Sequence, residues 1–310
     1  EINVEPKAII LEPVGRNTCP AITMGAIKAL EENKDSIILV LSADHKIEDE
    51  EEFIKVINKA YSYADAGKLV TFGIIPSSPE TGYGYIKSLN PFDEKKLEGI
   101  DIIKFIEKPN KEKAEKIYKD KRYYWNSGIF MFNTKTILNQ IQNSPPDIFN
   151  ICNEAITKSS KDLDFIRIEK EIFSKCPNLS IDVAIMEKTT IGTVLPLNAG
   201  WSDVGNWKSL WENEKKDING NIIQGRVISE KTKNCYLRSE NRLVVSLGLE
   251  NTIIVETSDA LLVANKNKAN EIKNIVNELE RQGLNESKEH QKTYRPWGNY
   301  ISLVKDEKWQ

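Results

Sequence analysis

Two short segments far apart in the chain, Leu41-Ser-Ala-Asp-His45 and Gly200-Trp-Ser-Asp-Val-Gly-Asn-Trp207, each set one aspartate just beyond an apolar run. If the fold joins Asp44 to Asp203, two carboxylates on rigid elements can grip a hard divalent cation while that cation neutralises a nucleotide's phosphates. Such a pair would mark a phosphate-handling enzyme. Each segment also has a structural reading. Asp is common where strands stop, so Asp44 is equally a turn residue. Asp203 could cap a helix near Lys208 to Trp211 in a Trp-packed corner.

Four further segments carry polar groups at strand ends. Glu12-Pro-Val-Gly-Arg-Asn-Thr18 lies between a strand and a helix, where one carboxylate can accept the two adjacent N–H donors of a guanine edge. Taken alone, a solvated strand end explains it better. In Glu80-Thr-Gly-Tyr-Gly-Tyr-Ile86, glycines permit close approach to the backbone and aromatic faces suit sugar rings; a hairpin turn explains it as well. Phe105-Ile-Glu-Lys-Pro109 offers an ammonium for a phosphate and a carboxylate for sugar hydroxyls, or a surface ion pair of little value. Trp125-Asn-Ser-Gly128 adds a short amide beside glycine, a sugar contact or a turn. The chain contains no GxGxxG, GxxxxGK[ST] or GxSxG run, so dinucleotide, P-loop and nucleophile-elbow chemistries lack support.

The elements that must position these residues alternate in βα fashion, the pattern of a mostly parallel sheet. Strands are expected at Ala8 to Leu11, Ser36 to Leu41, Leu69 to Ile75, Asp101 to Ile106 and Ile129 to Phe132. Helices are expected from Pro20 to Glu32, with Thr18 as N-cap, and from Glu50 to Ala66. The consecutive apolar residues of Ser36 to Leu41 predict a strand covered on both faces. Glu12, Asp44, Glu107 and Lys108 fall just past strand ends, where open α/β sheets bind ligands. From Gly220 to Ala264 short β-type runs predict a small β-rich, solenoid-like domain, closed by a helix from Lys268 to Arg281.

A net charge of −3 with scattered Lys and Arg argues against a nucleic-acid binder. Four distant cysteines without a CxxC pair argue against a zinc site or disulfide framework and point to a reduced cytoplasm. The longest apolar run, Ile37 to Leu41, is too short to cross a bilayer. With His45 and His290 as its only histidines, the chain lacks the histidine-rich metal site of a phosphomannose isomerase.

In order, Ile9-Ile-Leu-Glu-Pro-Val-Gly-Arg-Asn-Thr18, Leu41 to His45, Thr71-Phe-Gly-Ile74, Thr81-Gly-Tyr-Gly-Tyr85, Phe105 to Pro109, Tyr124-Trp-Asn-Ser-Gly128, Ser180-Ile-Asp-Val-Ala-Ile-Met-Glu-Lys188 and Gly200 to Gly205 closely resemble mannose-1-phosphate guanylyltransferases, nearest to the bacterial type fused to a mannose-6-phosphate isomerase. The resemblance runs from about Ile9 to Tyr300. It implies a Rossmann-like α/β nucleotidyltransferase domain with a mixed, mostly parallel sheet, followed by a β-helix-like segment. It also implies that GTP and α-D-mannose 1-phosphate give GDP-mannose and pyrophosphate in a Mg²⁺-dependent reaction.

By the same likeness Asp44 and Asp203 match the magnesium pair, and Glu12, with Pro13, Arg16, Asn17, Ser42 and Ala43, the nucleotide contacts. Lys108 matches the sugar-phosphate residue; Gly84, Tyr85, Glu107 and Asn126, together with Asp182 and Lys188, match positions at the sugar phosphate. Expected domains are 1–215, a nucleotidyltransferase incomplete at its N-terminus; 216–284, a β-rich domain; and 285–310, a linker entering a cupin-type isomerase domain. A homodimer is admitted but not required. The family opens with a glycine-rich loop, carrying an Arg and a Leu-Trp-Pro run, that wraps the triphosphate, and this sequence starts downstream of it. A chain truly this short is expected to show little or no transferase activity, and the alternative function is a non-catalytic sugar-nucleotide-binding relative.

Overall fold

A computed structural model describes residues 4–93, 96–144, 146–284 and 286, and the backbone of 292–295 and 298–301. The chain divides into two compact units, residues 1–201 and 202–310.

The first unit begins with β1 (Ile9–Leu11), α1 (Thr18–Glu32), β2 (Ile37–Val40), α2 (Glu50–Asp65) and β3 (Leu69–Ile74). Next come β4 (Tyr85–Ser88), β5 (Ile100–Ile106), α3 (Lys111–Tyr118) and β6 (Tyr123–Asn133). It closes with α4 (Thr134–Gln142), α5 (Ile148–Thr157), β7 (Ser160–Asp162), β8 (Phe165–Arg167), α6 (Lys170–Phe173), a π-helical turn at Asp182–Met186 and β9 (Gly192–Pro196).

Six strands form the central sheet in the order β2-β6-β3-β9-β5-β4, while β1 pairs with β8 in a separate three-stranded sheet. The sheet is mixed, but its parallel share is smaller than expected: among the described strands β3–β9 is its parallel pairing, and the others run antiparallel. The βα alternation is real, since β2 and β3 each pair antiparallel with β6 and therefore run the same way. The later strand β6 lies between them, and local sequence pattern carries no information on such long-range insertion.

Side chains alternate across the sheet into two layers. Leu69, Phe130, Phe132 and Val194 pack with α1, α4 and α5 on one face. Val70, Phe72, Ile129, Met131 and Leu195 pack with α2 on the other. As predicted, β2 serves both, with Ile38 and Val40 on the first core and Ile37 and Leu39 on the second. Each large apolar side chain fully buried there contributes about 1.5–3 kcal/mol. Helix α1 is capped by Asn17 rather than Thr18: the Asn17 side chain accepts from Thr18 N–H at 2.9 Å, while Thr18 Oγ1 accepts from Ile181 N–H.

The second unit opens with α7 (Trp207–Asn213), whose N-cap is Asn206 in a reciprocal box with Ser209, not Asp203. Strands β10 (Ile222–Glu230), β11 (Tyr236–Leu247) and β12 (Thr252–Glu256) stack in parallel register and β13 (Leu261–Asn265) closes antiparallel, the coiled arrangement expected of a solenoid-like domain. A 3₁₀ turn, Lys266–Glu271, precedes α8 (Ile272–Arg281), so the regular α-helix starts later than predicted. Lys292–Arg295 and Gly298–Ile301 pair as a hairpin; the rest of the expected linker and domain entry lies outside the described residues.

Candidate active site

A break in strand register gathers several of the polar candidates. Along the β3–β6 ladder Thr71 pairs with Phe130 but Gly73 pairs with Asn126, so β6 loops out extra residues around Gly128, whose φ of 71° suits glycine. Trp125 to Gly128, read from sequence as lying before a strand, is therefore inside β6. Asn126 N–H donates to Gly84 O at 2.8 Å, which ties the bulge to the entry of β4. A Cβ on Gly84 would lie 2.9 Å from Glu107 Oε2, 3.4 Å from Phe105 Cε1 and 3.5 Å from Asn126 Cβ, so the lack of a side chain here lets Glu107 and Asn126 close in on the backbone.

Glu107 and Lys108 follow the end of β5, with Lys108 Nζ 3.2 Å from Glu107 Oε1 and Lys108 held at a φ of 37°. Asp182 opens the π-helical turn, its carbonyl accepting from Glu187 N–H at 2.9 Å, and its carboxylate accepts from Asn126 Nδ2 at 2.8 Å. Turns of this kind often occur at functional sites. Burial, reinforced by the neighbouring Glu107 charge, pushes the Asp182 carboxyl up to about 6; hydrogen bonds from its own backbone N–H and Asn126, with the Lys108 charge, oppose that rise. Gly84, Glu107, Lys108, Asn126 and Asp182 are thus one constellation, able to hold a polyhydroxylated ligand with an anionic group.

An aromatic run adjoins it. Tyr83 meets Trp125 and Trp201 edge-on at 5.0 and 5.6 Å, and Trp201 Nε1 donates to His45 Nδ1 at 3.3 Å. His45 Cε1 would lie 3.5 Å from a Cβ on Gly128. The Asp44 segment is thereby fastened to the β6 bulge through His45. Ser42, Ala43 and Asp44 themselves are exposed in the turn after β2.

The other sequence candidates separate. Tyr85 is fully buried beside Ile106, Ile117 and Trp125, with its hydroxyl on Glu80 O, so its side chain faces the core. Glu12 is exposed past β1 and partial burial raises its carboxyl; Pro13 is half-buried. The Arg16 guanidinium turns inward to Ser174 O, and its buried Nε has no partner among the described residues. Asn17 takes a φ of 68° at the head of α1. Cys19 N–H donates to Leu179 O and Thr18 N–H to Asn17, so two first-turn donors of α1 are already engaged. Lys188 is exposed beyond the π-helical turn. In the second unit Asp203 Oδ1 accepts from Gly205 N–H at 3.2 Å, beside Val204 at a φ of 47°.

Sequence reasoning gave Thr71 no role, whereas the aromatics of Glu80 to Ile86 and Trp201 were among its candidate segments. Thr71 had a signal: a hydroxyl in the apolar run Leu69-Val-Thr-Phe-Gly-Ile74 must find a partner if the strand is central. It is fully buried, and Oγ1 lies 3.1 Å from Ile129 O and 3.2 Å from Asn126 Oδ1.

Comparison with known proteins bears on the family rather than on single residues. The nucleotidyl transferase family model matches residues 2–220, and a MannoseP isomerase/GMP-like beta-helix domain matches residues 225–279. The chain is 46% identical over 313 residues to a mannose-1-phosphate guanylyltransferase of Salmonella montevideo, with 100% of this chain and 66% of that protein covered. It is 42% identical, again over 100% and 66%, to the mannose-1-phosphate guanylyltransferase of Escherichia coli. It is also 42% identical to the alginate biosynthesis protein AlgA of Pseudomonas syringae pv. tomato, over 97% and 62%. The chain thus spans 62 to 66% of the length of these relatives. Among solved structures, mannose-1-phosphate geranyltransferase from Thermus thermophilus superposes with a TM-score of 0.73 at 30% identity, covering 87% of this chain and 77% of that one.

Proposed function

Because this chain belongs to the nucleotidyl transferase family, whose model matches residues 2–220, we propose that it is the transferase part of a protein that moves GMP from GTP to α-D-mannose 1-phosphate, giving GDP-mannose and pyrophosphate. The observation that carries this reading is the polar cluster at Gly84, where a carboxylate, its neighbouring ammonium and an oriented amide gather. Donors and acceptors so mixed match a sugar's hydroxyls, and the Lys108 ammonium matches its phosphate. Relatives with transferase names cover the whole chain, which disfavours a non-catalytic binding module.

In this reading a phosphate oxygen of mannose 1-phosphate attacks the α-phosphorus of GTP in line, the bond to the bridging oxygen breaks, and pyrophosphate leaves. No protein nucleophile is needed, so the residues act by positioning and by charge. Lys108 holds the attacking phosphate, with Glu107 fixing the ammonium; Glu107 and Asn126 orient the sugar; Glu12 accepts from the base, with Pro13, Arg16, Asn17, Ser42 and Ala43 as further nucleotide contacts.

Asp44 and Asp203 keep the metal-ligand role that the resemblance implies. Both offer the hard oxygen donors that suit Mg²⁺. Asp44 is exposed beyond β2, and Asp203 is oriented by Gly205 N–H. Bound there, Mg²⁺ would supply neutralisation of the triphosphate charge.

The test uses the full-length protein with GTP, mannose 1-phosphate and Mg²⁺, following pyrophosphate release and the sugar nucleotide. Formation of GDP-mannose, lost in Lys108→Ala and Asp203→Ala, is the expected result. A folded full-length protein that releases no pyrophosphate from these substrates overturns the proposal.

A further inference from the structure

We propose that Thr71, together with Asp182, is a positioning residue that locks the side-chain amide of Asn126 in one orientation, so that Asn126 meets the sugar phosphate as a hydrogen-bond donor alone. The inference rests on reading the polar cluster at Gly84 as the sugar site.

The orientation follows from what each neighbour is able to do. Gly128 N–H can only donate, and it lies 3.3 Å from the amide oxygen of Asn126. An ionised Asp182 can only accept, and it lies 2.8 Å from the amide nitrogen. The Thr71 hydroxyl has a single hydrogen, shared between Ile129 O and Asn126 Oδ1. The two lone pairs of Oδ1 are thus addressed by Gly128 and Thr71, and one Nδ2 hydrogen is taken by Asp182. Turning the amide over would set its NH₂ against the Gly128 donor and its carbonyl against a carboxylate. Thr71 would then give its hydrogen to Ile129 O alone and accept from the NH₂, so Gly128 and Asp182 set the orientation while Thr71 braces Oδ1 in place. The second Nδ2 hydrogen is what Asn126 has left for a ligand, beside the accepting carboxylate of Glu107. A sugar hydroxyl, which donates and accepts at once, fits that pair.

Packing alone does not call for a hydroxyl at this position. Val would fill the same volume in a strand whose other residues are apolar, and a fully buried hydroxyl is tolerated because it is bonded. The same hydroxyl supports the bulge through Ile129 O, so a purely structural role and a positioning role must be separated by experiment.

Steady-state kinetics on full-length Thr71→Val, Thr71→Ser and Asn126→Ala, with thermal melts to establish folding, make that separation. Loss of one oriented hydrogen bond in Thr71→Val is expected to raise KM for mannose 1-phosphate about tenfold, with kcat and KM for GTP held within about twofold. Thr71→Ser restores the wild-type KM. In the Asn126→Ala background Thr71→Val leaves KM unchanged, because the residue it acts through is gone. A KM unaffected by Thr71→Val, or raised equally with Asn126 absent, overturns the proposal. A second arm needs no substrate: in asparagine-¹⁵N-labelled protein one Asn126 side-chain hydrogen exchanges slowly, and Thr71→Val accelerates it. Equal exchange in both proteins refutes the lock even if the enzyme takes a different sugar phosphate, whereas accelerated exchange without mannose 1-phosphate turnover leaves the lock intact and removes the substrate assignment.

Discussion

Replacing Asp182 by Asn is expected to stabilise the protein at alkaline pH while impairing it as an enzyme. Burial, aided by Glu107, lifts the Asp182 carboxyl from 3.8 to about 6 in the folded chain. Between these values the native state binds more protons than the unfolded one, so stability falls as pH rises through the window and is level above it. At about 1.4 kcal/mol per pH unit, that rise is a cost of about 3 kcal/mol at pH 8, and of about 1 kcal/mol at pH 4.5, where titration has only begun. An Asn at 182 can still accept from Asn126 Nδ2 as a neutral carboxyl does, and the Asn126 bond to the ionised form is already part of the net rise. The variant should therefore exceed the wild type by about 1 kcal/mol near pH 4.5 and by about 3 kcal/mol at pH 8. Urea unfolding of both proteins at the two pH values, without ligand and with a chelator present, measures the gap directly. A gap that does not widen with pH, or a variant less stable at pH 8, would refute the reasoning. The same substitution weakens the amide lock, because Asn at 182 accepts either orientation of Asn126, so KM for the sugar phosphate rises as stability improves.

Two further outcomes concern the second unit. Gly225 has a φ of 81° and a Cβ there would run into the Ser239 carbonyl oxygen, so Gly225→Ala should cost more than about 3 kcal/mol, whereas Gly248→Ala, at a φ of 68° in open space, should cost about 1 kcal/mol; equal melting temperatures for the two variants would count against the solenoid packing. For Glu256, burial opposes ionisation, but N–H groups of Glu240, Asn241 and Arg242 and the Ser239 hydroxyl outweigh it and hold the carboxyl below its ordinary range. Its stabilisation is present above the unfolded value and lost as pH falls through the folded one, so Glu256→Gln should be less stable at pH 7 and flatter on acidification in circular dichroism melts.

What sequence made legible was whatever is encoded locally. The unbroken apolar run of β2 reports two covered faces because its side chains alternate between two different cores. The end of β5 was legible too, with Glu107 and Lys108 leaving the sheet where the apolar run stops. Strand direction was not legible, since β6 enters between β2 and β3 from far along the chain. Nor was the bulge: glycine at 128 reads as a turn, and only the paired register shows that the strand continues through it. Thr71 was passed over for the same reason, as its partner exists only once Asn126 is folded opposite Gly73.

Positive φ outside glycine, among the described residues, falls both at plain turns and at turns beside proposed site residues. Outside glycine, φ is positive at Asn17, Lys108, Leu163, Val204, Lys231, Asn234 and Asn251. Asparagine bears this conformation readily, but each remaining residue costs about 1–2 kcal/mol. Leu163 turns between the short strands β7 and β8 and Lys231 follows the end of β10, where such a residue needs no further role. Lys108 and Val204 are different, because each abuts a residue proposed to meet substrate or metal. At Lys108 the unusual φ accompanies an ammonium folded back to within 3.2 Å of Glu107 Oε1, so relaxing the backbone would move the charge away from the carboxylate that places it. Val204 is β-branched, the type least suited to a positive φ, and it sits between Asp203 and the Gly205 N–H that orients the aspartate. A Gly at 204 would relieve the strain and free Asp203 to wander. In the proposed mechanism, which uses no protein nucleophile, a neighbour held fixed at each of these turns would act by position alone.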